Sequence, residues 1–161
     1  LQHNNDIYDE RYRTFVSPIT KHILERYKIN SNGLDYGAGT GPVISTILNE
    51  NGYGINKYDP YFSPDVTVLE KEYDYIVCCE VIEHFYHPKK EFIKLKNLLK
   101  NNGELICKTD LYDENIDFSK WKYKNDPTHV FFYSRDTFEW IKQNIGFNKV
   151  SIEGRVVIFE K

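Results

Sequence analysis

Apolar and polar positions along the chain change period several times, and each change marks an element. From residue 7 to 29, Ile7, Phe15, Ile19, Ile23, Leu24 and Tyr27 recur at helical intervals. Pro18 suits a first helical turn, so one or two helices are predicted, ending before the turn cluster Asn30-Ser31-Asn32-Gly33. A very short strand is predicted at Gly33–Tyr36, then a glycine-rich loop, then a helix over Val43–Asn51 stopped by Gly52. Tyr53–Tyr58 reads as a second strand closed by Asp59-Pro60, and residues 60–72 are irregular, with a short strand expected at Val66–Leu69. The near-continuous apolar run Tyr73–Cys79 has the pattern of a parallel strand covered on both faces.

The second half repeats the alternation. A helix is predicted over Lys89–Lys100, stopping at Asn101-Asn102-Gly103, followed by a strand at Glu104–Thr109. Residues 110–128 are polar and aromatic without a period, and a segment that long inside a compact domain is usually functional or mobile. Ser134 caps a predicted helix over Arg135–Ile145, with Trp140 in a core position beside Phe138 and Ile141. Lys149–Glu153 and Val156–Glu160, joined at Gly154-Arg155, read as a hairpin. Alternating strands and helices predict an α/β fold: a mostly parallel, doubly wound sheet closed by a C-terminal antiparallel hairpin strand. The 161 residues fit one domain, with an N-terminal helical lid segment expected at 1–30 and a ligand-binding core at 33–161.

Composition narrows the partners. Lys plus Arg is 21 against 24 Asp plus Glu, a net charge of −3, which gives no electrostatic footprint for duplex nucleic acid. A small molecule or a single RNA end stays open. Cys78, Cys79 and Cys107 sit in apolar runs rather than at metal-ligand spacings, as reduced core thiols of a cytoplasmic protein do. No apolar run has the length of a membrane span, and no signal segment opens the chain. The sequence starts Leu-Gln-His and contains no Met, so the natural start is expected to lie outside it.

Candidate chemistry centres first on Asp35-Tyr36-Gly37-Ala38-Gly39-Thr40-Gly41, between the first strand and its helix. The glycines allow a tight turn and a close ligand. Dinucleotide fingerprints need G-x-G-x-x-G, but Pro42 stands where the third glycine would, and Asp35 would repel a pyrophosphate while suiting a positive amino group. Asp59 closes the second strand where a ribose-binding acid is expected, able to accept from both ribose hydroxyls.

In this order and context the chain resembles the class I S-adenosylmethionine-dependent methyltransferases from about Gly33 to its end. The resemblance implies that Asp35, Gly37, Ala38, Gly39 and Gly41 bind the methionine part of S-adenosylmethionine and that Asp59 binds its ribose. It implies that Glu80, at the end of the run from Tyr73, lies beside the cofactor. Only about fourteen residues separate Asp59 from Asp74, so the family's usual second helix and third strand are pared down, leaving Leu69 and Glu70 as candidate adenine contacts.

A second constellation is Glu80-Val81-Ile82-Glu83-His84. If a helix starts there, Glu80, Glu83 and His84 share one face, and His129 in the segment before Phe131-Phe132-Tyr133 is a fourth candidate. The segment resembles the ubiquinone-pathway O-methyltransferases, and also the small-RNA 2′-O-methyltransferases, which hold a divalent ion with two Glu and two His. The resemblance implies two alternatives: a divalent metal at Glu80, Glu83, His84 and His129, or His84 or His129 as general base. Acidic residues at a helix start are also favoured by the dipole alone. The reading with most support is methyl transfer to a small-molecule acceptor, at a hydroxyl oxygen. The alternatives are an RNA 3′-terminal 2′-O-methyltransferase and a cofactor-binding module without catalysis. Arg13 is a candidate clamp for a carboxylate or phosphate, and Trp121, Lys122, Tyr123 and Lys124 are candidates for stacking on an acceptor.

Overall fold

The structure, a computed structural model, describes residues 6–161; the first five residues of the expected N-terminal segment lie outside the described residues. The strands are β1 (Gly33–Tyr36), β2 (Ile55–Tyr58), β3 (Tyr73–Cys79), β4 (Leu99–Lys108), β5 (Lys149–Glu153) and β6 (Val156–Glu160). They form one sheet in the order β2-β1-β3-β4-β6-β5, with the first four parallel and β6 antiparallel to both neighbours. The expected architecture, including the closing hairpin, is present.

The helices are α1 (Glu10–Arg26), α2 (Val43–Glu50), α3 (Pro88–Leu98) and α4 (Arg135–Ile141). Side chains alternate across β3. Tyr75 and Val77 pack with Val16, Ile19, Ile23, Val43, Ile44 and Leu48 of α1 and α2. Ile76 and Cys78 pack with Phe92, Leu95, Phe138 and Ile141 of α3 and α4. Both faces are covered, which is why β3 has no polar face to show. Cys78 and Cys107 are buried free thiols and Cys79 is half-buried. Among the described residues no helix is long and apolar enough to cross a membrane.

Two buried carboxylates pin the helices to the sheet. Glu104 of β4, 2% exposed, accepts from His22 Nε2 (2.8 Å), Arg26 Nε (2.7 Å) and Tyr27 Oη (2.9 Å) at the end of α1. Asp35 of β1 accepts from Ser45 Oγ of α2 (2.9 Å). Burial pushes the Asp35 pKa up to about 6, against the opposing pull of the Ser45 hydrogen bond and the Lys57 charge.

Several local expectations are corrected. Pro18 lies inside α1, not at its start. The carbonyl of Thr14, which a proline cannot serve, accepts from Ser17 Oγ at 2.8 Å instead. α1 packs along the sheet as a layer of the core. Val66–Glu70 is a 3-10 turn, not a strand, because Asp65 caps it by accepting from Thr67 N (3.0 Å) and Thr67 Oγ1 (2.6 Å). Asn101-Asn102-Gly103 does not end a helix. It bulges inside β4, with Asn102 at φ +64°, between the pairs Tyr73–Leu99 and Tyr75–Glu104. Trp140 is 49% exposed, since Phe138 and Ile141 take the inward face of α4.

Strand order reverses at β1: β2 lies on one side of it and β3 on the other. In open α/β sheets such a point opens a crevice at the carboxyl ends of the strands.

Glu104→Ala leaves three donors without their buried acceptor. It is expected to lower unfolding free energy by about 2–3 kcal/mol in urea titrations. Asp35 tests the sign of a buried acid. Its folded pKa is raised, so the folded state holds a proton that the unfolded chain has lost between about pH 4 and 6. Stability from this group therefore falls as pH rises through that window. Asp35→Asn is expected to flatten that slope, gaining on the wild type by on the order of 2 kcal/mol between pH 4 and pH 6, with no further change above it.

Candidate functional site

The glycine loop leaves β1 in a left-handed turn, with Gly37 at φ +81° and Gly39 at φ +62°. Its first amides point back into the protein: Gly37 N and Ala38 N donate to the Tyr58 carbonyl (2.7 and 3.2 Å), and Gly39 N to Asp59 Oδ2 (3.1 Å). These donors are spent on the end of β2 rather than offered to a phosphate, in keeping with the argument from Pro42 against a dinucleotide. A Cβ on Gly37 would lie 2.5 Å from Val81 Cγ2, so the loop packs against the residue after Glu80. A Cβ on Gly39 would meet nothing within 4 Å, so the loop borders open space there. Ala38 and Gly41 are buried beneath it.

Asp59, 8% exposed, also accepts from Tyr61 N (2.8 Å) and Phe62 N (3.1 Å) through Oδ1. A carboxylate has about four acceptor positions, and three are taken. Oδ2 keeps acceptor capacity for a ligand beside the Gly39 amide. Asp35 is 4% exposed and its carboxyl accepts from Ser45 Oγ, so it braces the start of the loop from below.

Glu80 takes the left-handed backbone region, φ +53°, at the end of β3. That turn replaces the expected helix start and swings its side chain toward the β5–β6 hairpin. There Arg155 Nη2 donates to both carboxylate oxygens (3.0 and 3.1 Å). Burial and the nearby Glu83 push the Glu80 pKa up to about 7 against Arg155 and Lys108. Arg155 also donates to the Thr109 carbonyl and stands over the rings of Phe15 and Tyr123.

Glu83 and His84 follow in a single 3-10 turn, Ile82–His84, and meet His129 from across the cleft. One ligand atom from each of these three lies within 4.8 Å of the other two. Glu80 is not gathered with them. Glu83, fully buried, accepts from Tyr123 Oη and from Thr109 Oγ1 (3.3 Å), and its carbonyl takes the amides of Val130 and Phe131 (2.9 and 3.1 Å). His84 Nδ1 is 2.9 Å from the Thr128 carbonyl and His129 Nδ1 is 2.7 Å from the Tyr123 carbonyl. A carbonyl only accepts, so both Nδ1 atoms carry hydrogen and both Nε2 atoms keep a lone pair in the neutral ring. Carbonyls orienting histidines in this way are the usual support of a metal-ligating or proton-accepting imidazole.

The segment 110–132 builds its own aromatic cluster, in which Trp121 contacts Tyr112, Phe118, Tyr123 and Phe132. Tyr123 is therefore a positioning group, its hydroxyl held by Glu83 and Thr109. Trp121 is tied by its indole N–H to Asp110 (3.1 Å). Lys122 and Lys124 lie on a 3-10 turn, and Lys124 bonds Asn125. Arg13 pairs with Glu50 and the Ile7 carbonyl inside the chain. Thr109, Asp110 and Arg155 were not singled out from sequence. The first two were findable, since they end a strand at the same edge as Glu80; Arg155 read only as a turn residue.

The methyltransferase domain family matches residues 8–152. No curated protein matches the chain in sequence. Among solved structures, magnesium protoporphyrin IX methyltransferase from Synechocystis PCC 6803, with bound S-adenosylhomocysteine, is similar with a TM-score of 0.71. Its identity is 16%, over 93% of this chain and 83% of that one. A SAM-dependent methyltransferase from Archaeoglobus fulgidus gives 0.69 at 15% identity, over 92% and 94%. An N-methyltransferase of Haemonchus contortus, in complex with phosphomonomethylethanolamine and S-adenosylhomocysteine, gives 0.63 at 19% identity, over 84% of this chain but 38% of that one. At such identities the structural likeness speaks to the fold. The family match speaks to descent: the chain belongs to the methyltransferase domain family and carries the class I S-adenosylmethionine-dependent methyltransferase fold.

Proposed function

We propose that the chain moves the methyl group of S-adenosylmethionine onto a hydroxyl oxygen of a small molecule. The observation that carries this reading is the convergence, at the carboxyl ends of β1, β2 and β3, of an open glycine turn, a ribose-type acid and a corner of Glu83, His84 and His129. The open space at Gly39 fits a ligand lying on the loop, and the spare acceptor position of Asp59 fits one ribose hydroxyl. When bound, S-adenosylmethionine supplies a methyl group on a positively charged sulfur, open to in-line attack.

The chain's own residues have three tasks. Gly37–Gly41 take the methionine part, with Glu80 and its Arg155 partner closing that side. His84 or His129, through Nε2, takes the proton of the acceptor hydroxyl. The imidazolium so formed lies beside the Glu83 carboxylate, and for His129 also 3.9 Å from Asp126 Oδ2. Positioning supplies much of the remaining rate.

The same corner fits a divalent ion. We infer a site of Glu83, His84 and His129, without Glu80, whose two nitrogens favour Mn²⁺, Fe²⁺ or Zn²⁺ over Mg²⁺. Such an ion lowers the pKa of a bound hydroxyl. An RNA 3′ end would use this corner equally, and the net charge of −3 weighs against it. A module without catalysis would have no use for two histidines fixed in one tautomer. The reduced cysteines fit a cytoplasmic setting.

Calorimetry with S-adenosylmethionine is expected to show micromolar binding; no binding below millimolar concentration would defeat the reading. For the ion, protein equilibrated with Zn²⁺ or Mn²⁺ and desalted is expected to retain about one equivalent, lost in both Glu83→Ala and His129→Ala. Unchanged metal content in both variants would remove the ion site.

A further inference from the structure

Lys108 is the last residue of β4, paired with Cys79 of β3 and Val156 of β6. It points to the α1 side of the sheet, as Ile106 two residues before it does. The residue is 6% exposed, and its ammonium stands 4.3 Å from the centroid of the Phe15 ring in α1. Among the described residues that ammonium has no hydrogen bond and no ion pair. Glu80, the acid whose charge reaches it, is taken by Arg155 through both oxygens. Asp110 also lies beside Arg155, 3.7 Å from Nε. The arginine is therefore matched, and the lysine is not.

A buried charge without a counter-ion is costly to a fold, and one ring face meets only part of that cost. Burial, with the Arg155 charge adding to it, holds the Lys108 pKa below its ordinary value against the pull of Glu80. Phe15, Cys79 and Val156 would pack a methionine in this place as well, so packing does not call for an ammonium. A ligand does. One unmatched positive charge calls for one negative charge, which a carboxylate carries and a doubly charged phosphate exceeds.

Position says whose carboxylate it is. β3 stands between β1, which carries the glycine turn, and β4, so the end of β4 lies about 10 Å to the side of that turn. The next residue, Thr109, donates to Glu83 of the reactive corner (3.3 Å). The end of β4 thus serves the flank on which the acceptor hydroxyl reacts. We propose that Lys108 binds a carboxylate of the methyl acceptor, which makes the acceptor a hydroxy acid. This deepens the reading of a small-molecule acceptor above and rests on it.

The test is NMR of the full chain labelled with carbon-13 at the lysine ε-carbons, in which the Lys108 resonance is identified by its loss in Lys108→Met. Acetate is the probe and acetamide its neutral control, titrated at constant ionic strength into the chain alone and into its complex with S-adenosylhomocysteine. In both, acetate is expected to move the Lys108 resonance saturably, with an affinity roughly tenfold or more above that at Lys120, whose side chain is 84% exposed, because low-dielectric surroundings strengthen the pair. Acetamide is expected to leave it in place. Lys108→Met is expected to melt at a higher temperature than the wild type, since it removes a buried charge and keeps the stem. A lower melting temperature would show the ammonium to be structural and overturn the proposal, as would a Lys108 resonance that acetate does not move. If S-adenosylhomocysteine displaces acetate where 5′-methylthioadenosine, which lacks the amino acid, does not, the carboxylate belongs to the cofactor: the acceptor assignment is overturned and the cofactor reading stands. If S-adenosylhomocysteine itself does not bind, the cofactor reading fails and takes the acceptor assignment with it.

Discussion

The cleft depends on one carboxylate. Asp59 sits at the end of the edge strand β2, nearly buried, and is held by three backbone amides from two different loops. A buried acid is costly unless its oxygens are satisfied, and charge-assisted bonds to amides satisfy it well. Through Gly39 it draws the glycine loop down onto β2; through Tyr61 and Phe62 it closes the next turn. The Tyr58 carbonyl beside it takes the two preceding loop amides. The loop's shape is thus set by the protein before any ligand arrives, which is the preorganisation that a binding site needs.

On the other side of the cleft the same economy applies to the histidines. Their orientation comes from the segment 110–132, whose carbonyls at Tyr123 and Thr128 take the Nδ1 hydrogens and whose Tyr123 hydroxyl reaches Glu83. The aromatic cluster around Trp121 gives that segment a core of its own. An irregular stretch with no sequence period is therefore the part that arms the reactive corner. The hairpin joins in through Arg155, which links Glu80, Thr109 and the first turns of α1 by way of Phe15.

Much of this was legible in the sequence, for reasons that can be named. The run Tyr73–Cys79 and the hairpin at 149–160 have periods that only one kind of strand satisfies, and both stand where predicted. The loop was legible because glycine is required where φ is positive, as at Gly37 and Gly39. What failed was decided by contacts at a distance. Glu80 reads as a helix start from its neighbours, yet it turns into the left-handed region and pairs with Arg155, 75 residues away. Pro18 reads as a helix start, and one serine hydroxyl lets the helix run through it. The likeness of the Glu80–His84 segment to the ubiquinone-pathway enzymes rests on five residues, and the structure keeps only Glu83 and His84 of its acid–histidine set together with His129.

The central claim is that the ligand lies across the carboxyl ends of β1, β2 and β3. Amide NMR of the full chain, titrated with S-adenosylhomocysteine, tests it most directly. The largest shifts are expected at Gly37, Ala38, Gly39, Asp59 and Glu80, with α4 and β5 silent. Shifts confined elsewhere, for instance to the open groove lined by Tyr86, Pro88 and Ile93 at the start of α3, would contradict the account.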